Sequence, residues 1–461
     1  MNFSERFEAL FKRILPSPFT IAIVLTLFSF LIAFIFTDSP KDENHLMNIM
    51  SYWEKGMWDQ SLLAFAVQMM LMLVLGHTLA LSPFISRLIE GIIHFGSSPA
   101  RAAWLVCFFT MLLAFFNWGL GLIFGAIIAR KVGEKFSQEG KKLNYALIGA
   151  AGYSGLIVWH GGISGSAPVK AAETGNIKSM MQGLLPEEEL SSIVGEIAFK
   201  DSVFSPMNLS ISLVLLLVLP LLMAWISKKS SAKSFQIPLQ QKTLSIPNKV
   251  FNGAEKLDHS RILCIGFALI LLFYSVLIPL SQQPFSWKFI NPNYINLLLL
   301  GLALLFHGSF SNFLKAIDKA IGGASAILIQ FPLYFGIMGI MKHSGLIHEM
   351  SGFFVSIASE SSLPIYTFFS AGLVNVFVPS GGGQWAVQGP IIVQAAQSLD
   401  APLAKNIMAM AYGDQLTNML QPFWALPLLG ITGLKAREII PYTLFMMLIG
   451  ALVFILGLIL F

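Results

Sequence analysis

Asp414 is the residue of this sequence most able to carry a charge inside a membrane, because it is the only carboxylate clearly within the apolar region 403–433. A charge at the centre of a bilayer costs roughly 2.5–3.5 kcal/mol on insertion scales, so such residues usually mark pathways or proton relays. Thr417 and Asn418 follow closely and offer the oxygen ligands that hard cations prefer. We expect Asp414 to bind a cation or exchange a proton; the alternative is a helix cap beside Gly413.

His160 is the second titratable candidate, because it lies where another apolar region, 144–169, is interrupted. Imidazole changes its charge near neutral pH, so this side chain could also carry a proton. A hydrogen-bonded core histidine is the alternative.

The stretch Pro379–Trp385 interrupts a third apolar region, 363–398, with three consecutive glycines. Irregular backbone at membrane depth is tolerated where protein buries it or where it lines a watery cavity. Ser380 could cap a following half-helix, and the N–H groups of Gly381 and Gly382 would then favour an anion. A re-entrant turn without a ligand is the alternative.

Four further polar residues complete the candidate binding site. Ser164 and Ser166, among glycines of region 144–169, offer hydroxyls as Ser380 does, although small residues there also allow close helix packing. Asn117 and Asn375 each precede the turn of an apolar hairpin, where asparagine can cap a half-helix or hold a polar ligand.

Composition identifies a polytopic membrane protein. Of 461 residues, 55% are hydrophobic and 11% are charged, and the mean hydropathy is +0.72, whereas soluble domains have roughly 25% charged residues. The net charge of +5 indicates no nucleic-acid binding, because basic residues concentrate in segments 130–142 and 227–261, as the positive-inside rule expects of cytoplasmic loops. Cys107 and Cys264 lie in apolar runs, so neither a disulfide nor a metal site is predicted.

The apolar segments predict an all-α fold with transmembrane helices, two re-entrant hairpins and two broken helices. A spanning helix needs about 20 mostly apolar residues. The hairpins are 100–129 and 363–398, and the broken helices are 144–169 and 403–433. The unbroken spans are 19–36, 61–82, 203–226, 261–280, 292–306, 321–341 and 439–461, and amphipathic arms are predicted at 84–95 and 346–357.

Loop charges orient this chain with a cytoplasmic N-terminus, and the order helix, helix, hairpin, broken helix, helix then occurs twice with opposite topology. Asn117 precedes Asn375 by 258 residues, and His160 precedes Asn418 by the same 258. Inverted repeats with broken helices indicate a secondary transporter. The predicted units are a first repeat 1–226, a cytoplasmic linker 227–260, an extra transmembrane helix 261–280 and a second repeat 281–461.

The interrupted stretches resemble the bacterial short-chain fatty acid transporter family, the acetoacetate and butyrate carriers. The matching stretches are Phe116–Gly121, Gly161–Pro168, Pro379–Trp385, Tyr412–Gln415 and Gln421–Pro427. The resemblance implies a superfamily of inverted-repeat ion transporters with a scaffold part and a mobile part. The chain departs from the family pattern at three positions: Gln384 stands where histidine is expected, Asp414 where glutamate is expected, and His160 where glycine is expected.

We therefore expect a secondary active transporter of short-chain monocarboxylates in the bacterial inner membrane, coupled to H⁺ or Na⁺ and without a cofactor. An uncoupled anion channel or exchanger, or a carrier of another organic anion such as a dicarboxylate, is the alternative. A less favoured alternative is an intramembrane enzyme that uses His160 or Asp414 as a general acid–base group. The sequence shows no recognisable nucleophile–base pair, which argues against it. The lipid bilayer is an expected partner, and relatives of this architecture are often homodimers.

Overall fold

The computed structural model describes residues 16–38, 44–182, 188, 190, 193–230, 253–281, 289 and 291–461, which form helices and their connections. Eight helical stretches of these residues are long and apolar enough to cross a membrane, and three shorter apolar helices accompany them. The prediction of an all-α polytopic membrane protein is confirmed. The predicted linker 227–260 lies mostly outside the described residues.

The helices before the linker follow the predicted order, with two short helices more than expected. In chain order they are α1 Pro18–Phe36, α2 His45–Met57, α3 Gln60–Ala80, α4 Pro83–His94, α5 Pro99–Phe116, α6 Trp118–Gln138, α7 Tyr145–Tyr153, α8 Ser166–Ala171, α9 Asn176–Met181 and α10 Pro206–Lys229.

The remaining helices repeat this order after the short helix α11 Glu255–Asp258 and the extra apolar helix α12 Arg261–Leu280. They are α13 Pro292–His307, α14 Phe310–Ala320, α15 Ser325–His343, α16 Leu346–Ser356, α17 Leu363–Phe377, α18 Gly381–Ser398, α19 Leu403–Thr417, α20 Pro422–Thr432 and α21 Ala436–Leu460.

Local sequence sets where the spans begin and end. The residue before each of several helices accepts a hydrogen bond from the N–H three residues on, which satisfies one of the free donors of the first turn. These capping residues are Ser17, Asp59, Ser98, Asn144, Ser205, Ser260 and Asn291. Gly308 and Gly433 end α13 and α20 at φ values of +69° and +74°, which glycine adopts without strain.

The structure contains two short amphipathic helices that the sequence analysis missed. Helix α2 lies between the predicted spans 19–36 and 61–82, and α14 occupies the equivalent place after α13. Neither is long enough to span a bilayer, so a search for apolar runs passes over both. Helix α6 is also longer than predicted, since it continues to Gln138, shortly before Gly140 at φ +63°.

Reciprocal packing relates the two halves of the chain. Helices α1 and α2 pack against α15 of the second half, while α13 and α14 pack against α3 of the first half. In each half, the first two helices thus pack against the third helix of the other half. A two-fold relation between the repeats produces this arrangement. The exact division into units at 226, 260 and 281 stays a prediction.

Both predicted hairpins are present. In hairpin 1, formed by α5 and α6, a Cβ atom added at Gly121 would lie 2.7 Å from Cα of Ala114, so the arms touch beside the turn. In hairpin 2, formed by α17 and α18, Gln384 Nε2 donates to the main-chain oxygen of Ala371 at 2.9 Å. The three glycines of hairpin 2 form the first turn of α18, and the break lies just before them.

We predict that Gly339→Ala destabilises the protein, because α2 crosses α15 at Gly339 with backbone against backbone. A Cβ atom there would lie 2.8 Å from Cα of Gly56 and closer still to the main-chain oxygen of Tyr52. Overpacking of this kind costs about 1–3 kcal/mol. Thermal unfolding in detergent should therefore shift down by several degrees. Gly266→Ala, where a Cβ atom meets nothing within 4 Å, should unfold as the wild type does; equal unfolding temperatures for the two variants would contradict the packing.

Candidate functional site

Two broken helices cross at the centre of the candidate site. Broken helix 1 runs through α7, passes through 3₁₀ turns at Ser154–Ile157 and Trp159–Gly161, and resumes as α8. Broken helix 2 runs through α19, a 3₁₀ turn at Asn418–Leu420, and α20. The Tyr153 hydroxyl donates to the main-chain oxygens of Asn418, at 2.8 Å, and Gln421, at 3.2 Å. One break is thus satisfied by a side chain from the other broken helix.

His160 and Asp414, predicted separately from the two halves, form a buried pair. His160 Nδ1 lies 3.1 Å from Asp414 Oδ1, and the two residues are 0% and 1% exposed. His160 Nε2 accepts the N–H of Ala167 at 2.9 Å, so this nitrogen carries no proton. The neutral imidazole therefore carries its proton on Nδ1 and donates it to Asp414.

The second carboxylate oxygen of Asp414 is the notable atom of this pair. Asp414 Oδ2 is buried and has no hydrogen-bond partner among the described residues. Burying a charged oxygen without a partner is costly. The position therefore suits a proton on Oδ2 or a cation beside it. Among the described residues, no group of three or more His, Cys, Asp or Glu side chains could hold a metal ion.

Gln415 and Asn208 hold broken helix 1 in place, and the sequence analysis missed both. Gln415 Oε1 accepts the N–H groups of His160, at 2.8 Å, and Gly161, at 3.3 Å. Asn208 Nδ2 donates to the main-chain oxygen of Gly161 at 2.8 Å, and its Oδ1 accepts the Tyr412 hydroxyl at 3.0 Å. Amides inside apolar runs must find partners at membrane depth, and that rule could have singled out both residues.

Asn375 joins hairpin 2 to broken helix 2. Its Nδ2 donates to the main-chain oxygen of Asp414 at 2.7 Å and to Thr417 Oγ1 and Asn418 Oδ1, both at 2.9 Å. Thr417 Oγ1 in turn donates to the main-chain oxygen of Gly372 at 3.0 Å. These three predicted site residues therefore fix the backbone around Asp414. Asn375 Oδ1 and Gln421 Oε1 are buried without a partner among the described residues.

The tip of hairpin 2 lies against His160. Ser380 Oγ accepts the N–H of Gly383 at 3.2 Å, so Ser380 caps α18 as predicted. The N–H groups of Gly381 and Gly382 have no partner in the described part of the chain. A Cβ atom added at Gly381 would lie 2.7 Å from His160 Cε1, and one added at Gly382 would lie 4.0 Å from Cβ of Ser166. The first turn of α18 thus lies against broken helix 1.

The tip of hairpin 1 approaches the same break from another side. Asn117 Oδ1 accepts the N–H of Leu120 at 2.9 Å, and Ser164 Oγ accepts the N–H of Trp118 at 3.1 Å. The N–H of Ile163 donates to the main-chain oxygen of Phe115 at 2.8 Å. Asn117 therefore caps hairpin 1, which is the structural alternative for this residue, and Ser164 adds a second acceptor there; this does not test whether they also bind a ligand.

Three of the four tryptophans that border a break form one aromatic wall. The ring centroid of Trp118 lies 6.0 Å from that of Trp159 and 5.2 Å from that of Trp424, and Phe65 packs on the same group. Trp159 also stacks on His160, at 4.4 Å between centroids. Trp385 is separate and lies beside Asn176 on α9. The aromatic wall supplies an apolar surface next to the polar pair.

Comparison with known proteins relates the whole chain to one family. A family model described as "Short chain fatty acid transporter" matches residues 1–461. A protein of Escherichia coli named "Putative short-chain fatty acid transporter" is 36% identical over 100% of this chain and 99% of its own length. A protein of Haemophilus influenzae with the same name is 36% identical over 98% of both chains.

Two solved transporters have a distant likeness. The Alcanivorax borkumensis YdaH transporter shares 15% identity over 96% of this chain and 97% of its own, with a TM-score of 0.45. Neisseria gonorrhoeae MtrF shares 15% identity over 97% of both chains, with a TM-score of 0.43. A likeness of this degree does not extend to the residues of the site.

We predict that Gln415→Met lowers stability, because it leaves the N–H groups of His160 and Gly161 buried without an acceptor. An unsatisfied buried donor costs about 1–3 kcal/mol. The unfolding temperature in detergent should fall by several degrees. Gln394→Met, which makes the same change at an exposed position of α18, serves as the control. Equal unfolding temperatures for the two variants would show that Gln415 does not hold the break.

Proposed function

Because the chain belongs to the short-chain fatty acid transporter family, we propose that it is a secondary active transporter that moves a short-chain carboxylate together with a cation. The observation that carries this proposal is the buried His160–Asp414 pair, which lies against the tip of hairpin 2. A titratable pair beside open N–H groups provides for an anion and a coupling cation in one place.

The carboxylate of the substrate is assigned to the space between the tip of hairpin 2 and α8. The open N–H groups of Gly381 and Gly382 lie at the positive end of α18, an 18-residue helix, which favours an anion. Ser166 lies opposite Gly382 and adds a hydroxyl. The short alkyl chain would contact the aromatic wall around Trp159. Small-molecule sites commonly combine an apolar lining with a few polar groups in this manner.

A co-transported cation solves the electrical problem of taking up an anion. Moving one negative charge into a negative-inside cell costs about 2.3 kcal/mol per 100 mV. A proton on Asp414 Oδ2 would neutralise the pair while His160 keeps the tautomer that Ala167 sets. We therefore favour H⁺ as the coupling ion. Na⁺ is the second candidate, because the buried oxygens of Asn375 and Gln421 that lack partners are the ligand type that it prefers.

Apolar spans and the family place the protein in a membrane as a multi-pass chain. We further propose the bacterial inner membrane and a cytoplasmic N-terminus, which the basic segments 130–142 and 227–261 support. Transport needs no enzymatic step and no bound cofactor in this mechanism.

We predict that wild-type protein in liposomes accumulates radiolabelled butyrate when an inward H⁺ gradient is imposed, and that Asp414→Asn abolishes this accumulation. Asparagine resembles a permanently protonated aspartate, so exchange of internal for external butyrate should persist in the variant. Accumulation on a Na⁺ gradient alone would assign Na⁺ instead. Gradient-driven accumulation by Asp414→Asn at the wild-type level would remove Asp414 from the coupling step.

We predict opposite results for alanine at two neighbouring glycines of hairpin 2. Gly381→Ala places a methyl group 2.7 Å from His160 Cε1, so one element must shift and butyrate uptake should fall by at least tenfold. Gly382→Ala meets ordinary contact distance at 4.0 Å and should retain most uptake. Both variants should reach the membrane in wild-type amounts, measured by immunoblot. Equal uptake by the two variants would contradict the proposal that the tip of hairpin 2 forms part of the substrate site.

A further inference from the structure

A water-accessible cavity leads from the protein surface to the tip of hairpin 2. Its volume is ≈ 240 Å³, and it lies between α3, α15 and α18. Lys55, Lys342 and His343 line its mouth, and Ser380 and Gly383 line its inner end. The cavity therefore joins the exterior to the break that carries the open N–H groups of hairpin 2.

The mouth of the cavity is positively charged. Neither Lys55 nor Lys342 forms a salt bridge with another described residue. Asp59 is the acidic residue of the lining, and its carboxylate caps α3 by accepting the N–H of Leu62 at 3.0 Å. The hydrogen bond from the Ser61 side chain, followed by that from Leu62, lowers the pKa of Asp59 below its usual value, so Asp59 is ionised. Two lysines against one aspartate leave one positive charge when His343 is neutral.

The interior of the cavity is suited to a small molecule with one anionic end. Its walls include the apolar side chains of Leu62, Met338 and Val387. At roughly 30 Å³ per water molecule, ≈ 240 Å³ corresponds to about eight waters. That space holds a carboxylate with a short alkyl chain.

A second cavity begins at the other end of α15 and differs in one respect. It has a volume of ≈ 520 Å³ and also carries two cationic side chains, Lys435 and Arg437. Its lining contains no residue of either hairpin. The cavity at Lys342 is thus the one of these two that reaches a hairpin tip.

We propose that the cavity at Lys342 is the entry subsite for the anionic substrate, where Lys342 receives the carboxylate before it passes to the N–H groups of Gly381 and Gly382. The identity of the anion rests on the proposed function, whereas its charge and size rest on the cavity. A mouth with a net charge raises the local concentration of ions of the opposite sign. Under the predicted topology this mouth faces the outside of the cell.

The first test measures uptake kinetics in proteoliposomes. Lys342→Gln should raise the KM for butyrate by about threefold to fivefold, the size expected of one exposed ion pair, and leave the maximal rate unchanged. Lys342→Arg should restore the wild-type KM. Lys200→Gln removes an exposed charge in the segment 170–202, whose acidic residues predict that it lies on the same, outer side of the membrane, and should have no effect. A wild-type KM for Lys342→Gln would overturn the subsite.

The second test does not depend on transport. Ala386 is exposed and lines the cavity, while the native Cys107 and Cys264 are 0% exposed and should not react. Ala386→Cys should react faster with an anionic methanethiosulfonate than with a cationic one of similar size, and adding Lys342→Gln should remove that preference. Butyrate should slow the reaction. If the anionic preference is present but butyrate is neither bound nor transported, the subsite stands and the proposed substrate fails. Equal rates for both reagents would refute the subsite itself.

Discussion

Every backbone group that a broken helix releases inside a membrane must find a partner within the protein, and the centre of this structure is organised by that constraint. Broken helix 1 gives up N–H groups at His160 and Gly161, and Gln415 accepts both. At broken helix 2, the main-chain oxygens of Asn418 and Gln421 both accept the Tyr153 hydroxyl. The hydrogen bonds that satisfy the two breaks therefore also join the two halves of the chain.

The same constraint explains where the titratable pair lies. His160 is held by three polar contacts, to Gln415, Asp414 and Ala167, and it stacks on Trp159. The contact with Ala167 fixes the tautomer, so a second proton on the imidazole would set two donors against each other and displace α8. A proton on Asp414 Oδ2 requires no such displacement, since that oxygen has no described partner. This difference supports the proposal that Asp414 is the coupling residue.

The close approach of hairpin 2 links this pair to the proposed substrate region. Gly381 leaves no room for a side chain beside His160. A movement of hairpin 2 would thus change the surroundings of the His160–Asp414 pair, and a change of charge at the pair would act on the tip of the hairpin. This contact gives the proposed cation and anion sites a direct way to influence each other, since a ligand shifts an equilibrium through its differential interactions with the two states.

The sequence by itself determined the membrane class, nearly all the spans, both hairpins and both breaks, because apolar length and helix-breaking residues are local properties of the chain. It also identified Asp414 and His160 as candidates, since titratable groups in apolar runs are rare. It missed α2 and α14, which are too short and too polar to stand out. It also left Asn117 and Asn375 undecided between capping and binding.

Only the tertiary structure decided which of these residues meet. His160 pairs with Asp414, and Gln415 and Asn208 hold Gly161. The cavity at Lys342 reaches hairpin 2. All of these contacts join segments that are far apart in the chain. Such contacts arise from the packing of one half on the other. No local pattern of residues predicts that packing, because each residue fits its own helix equally well with or without its partner.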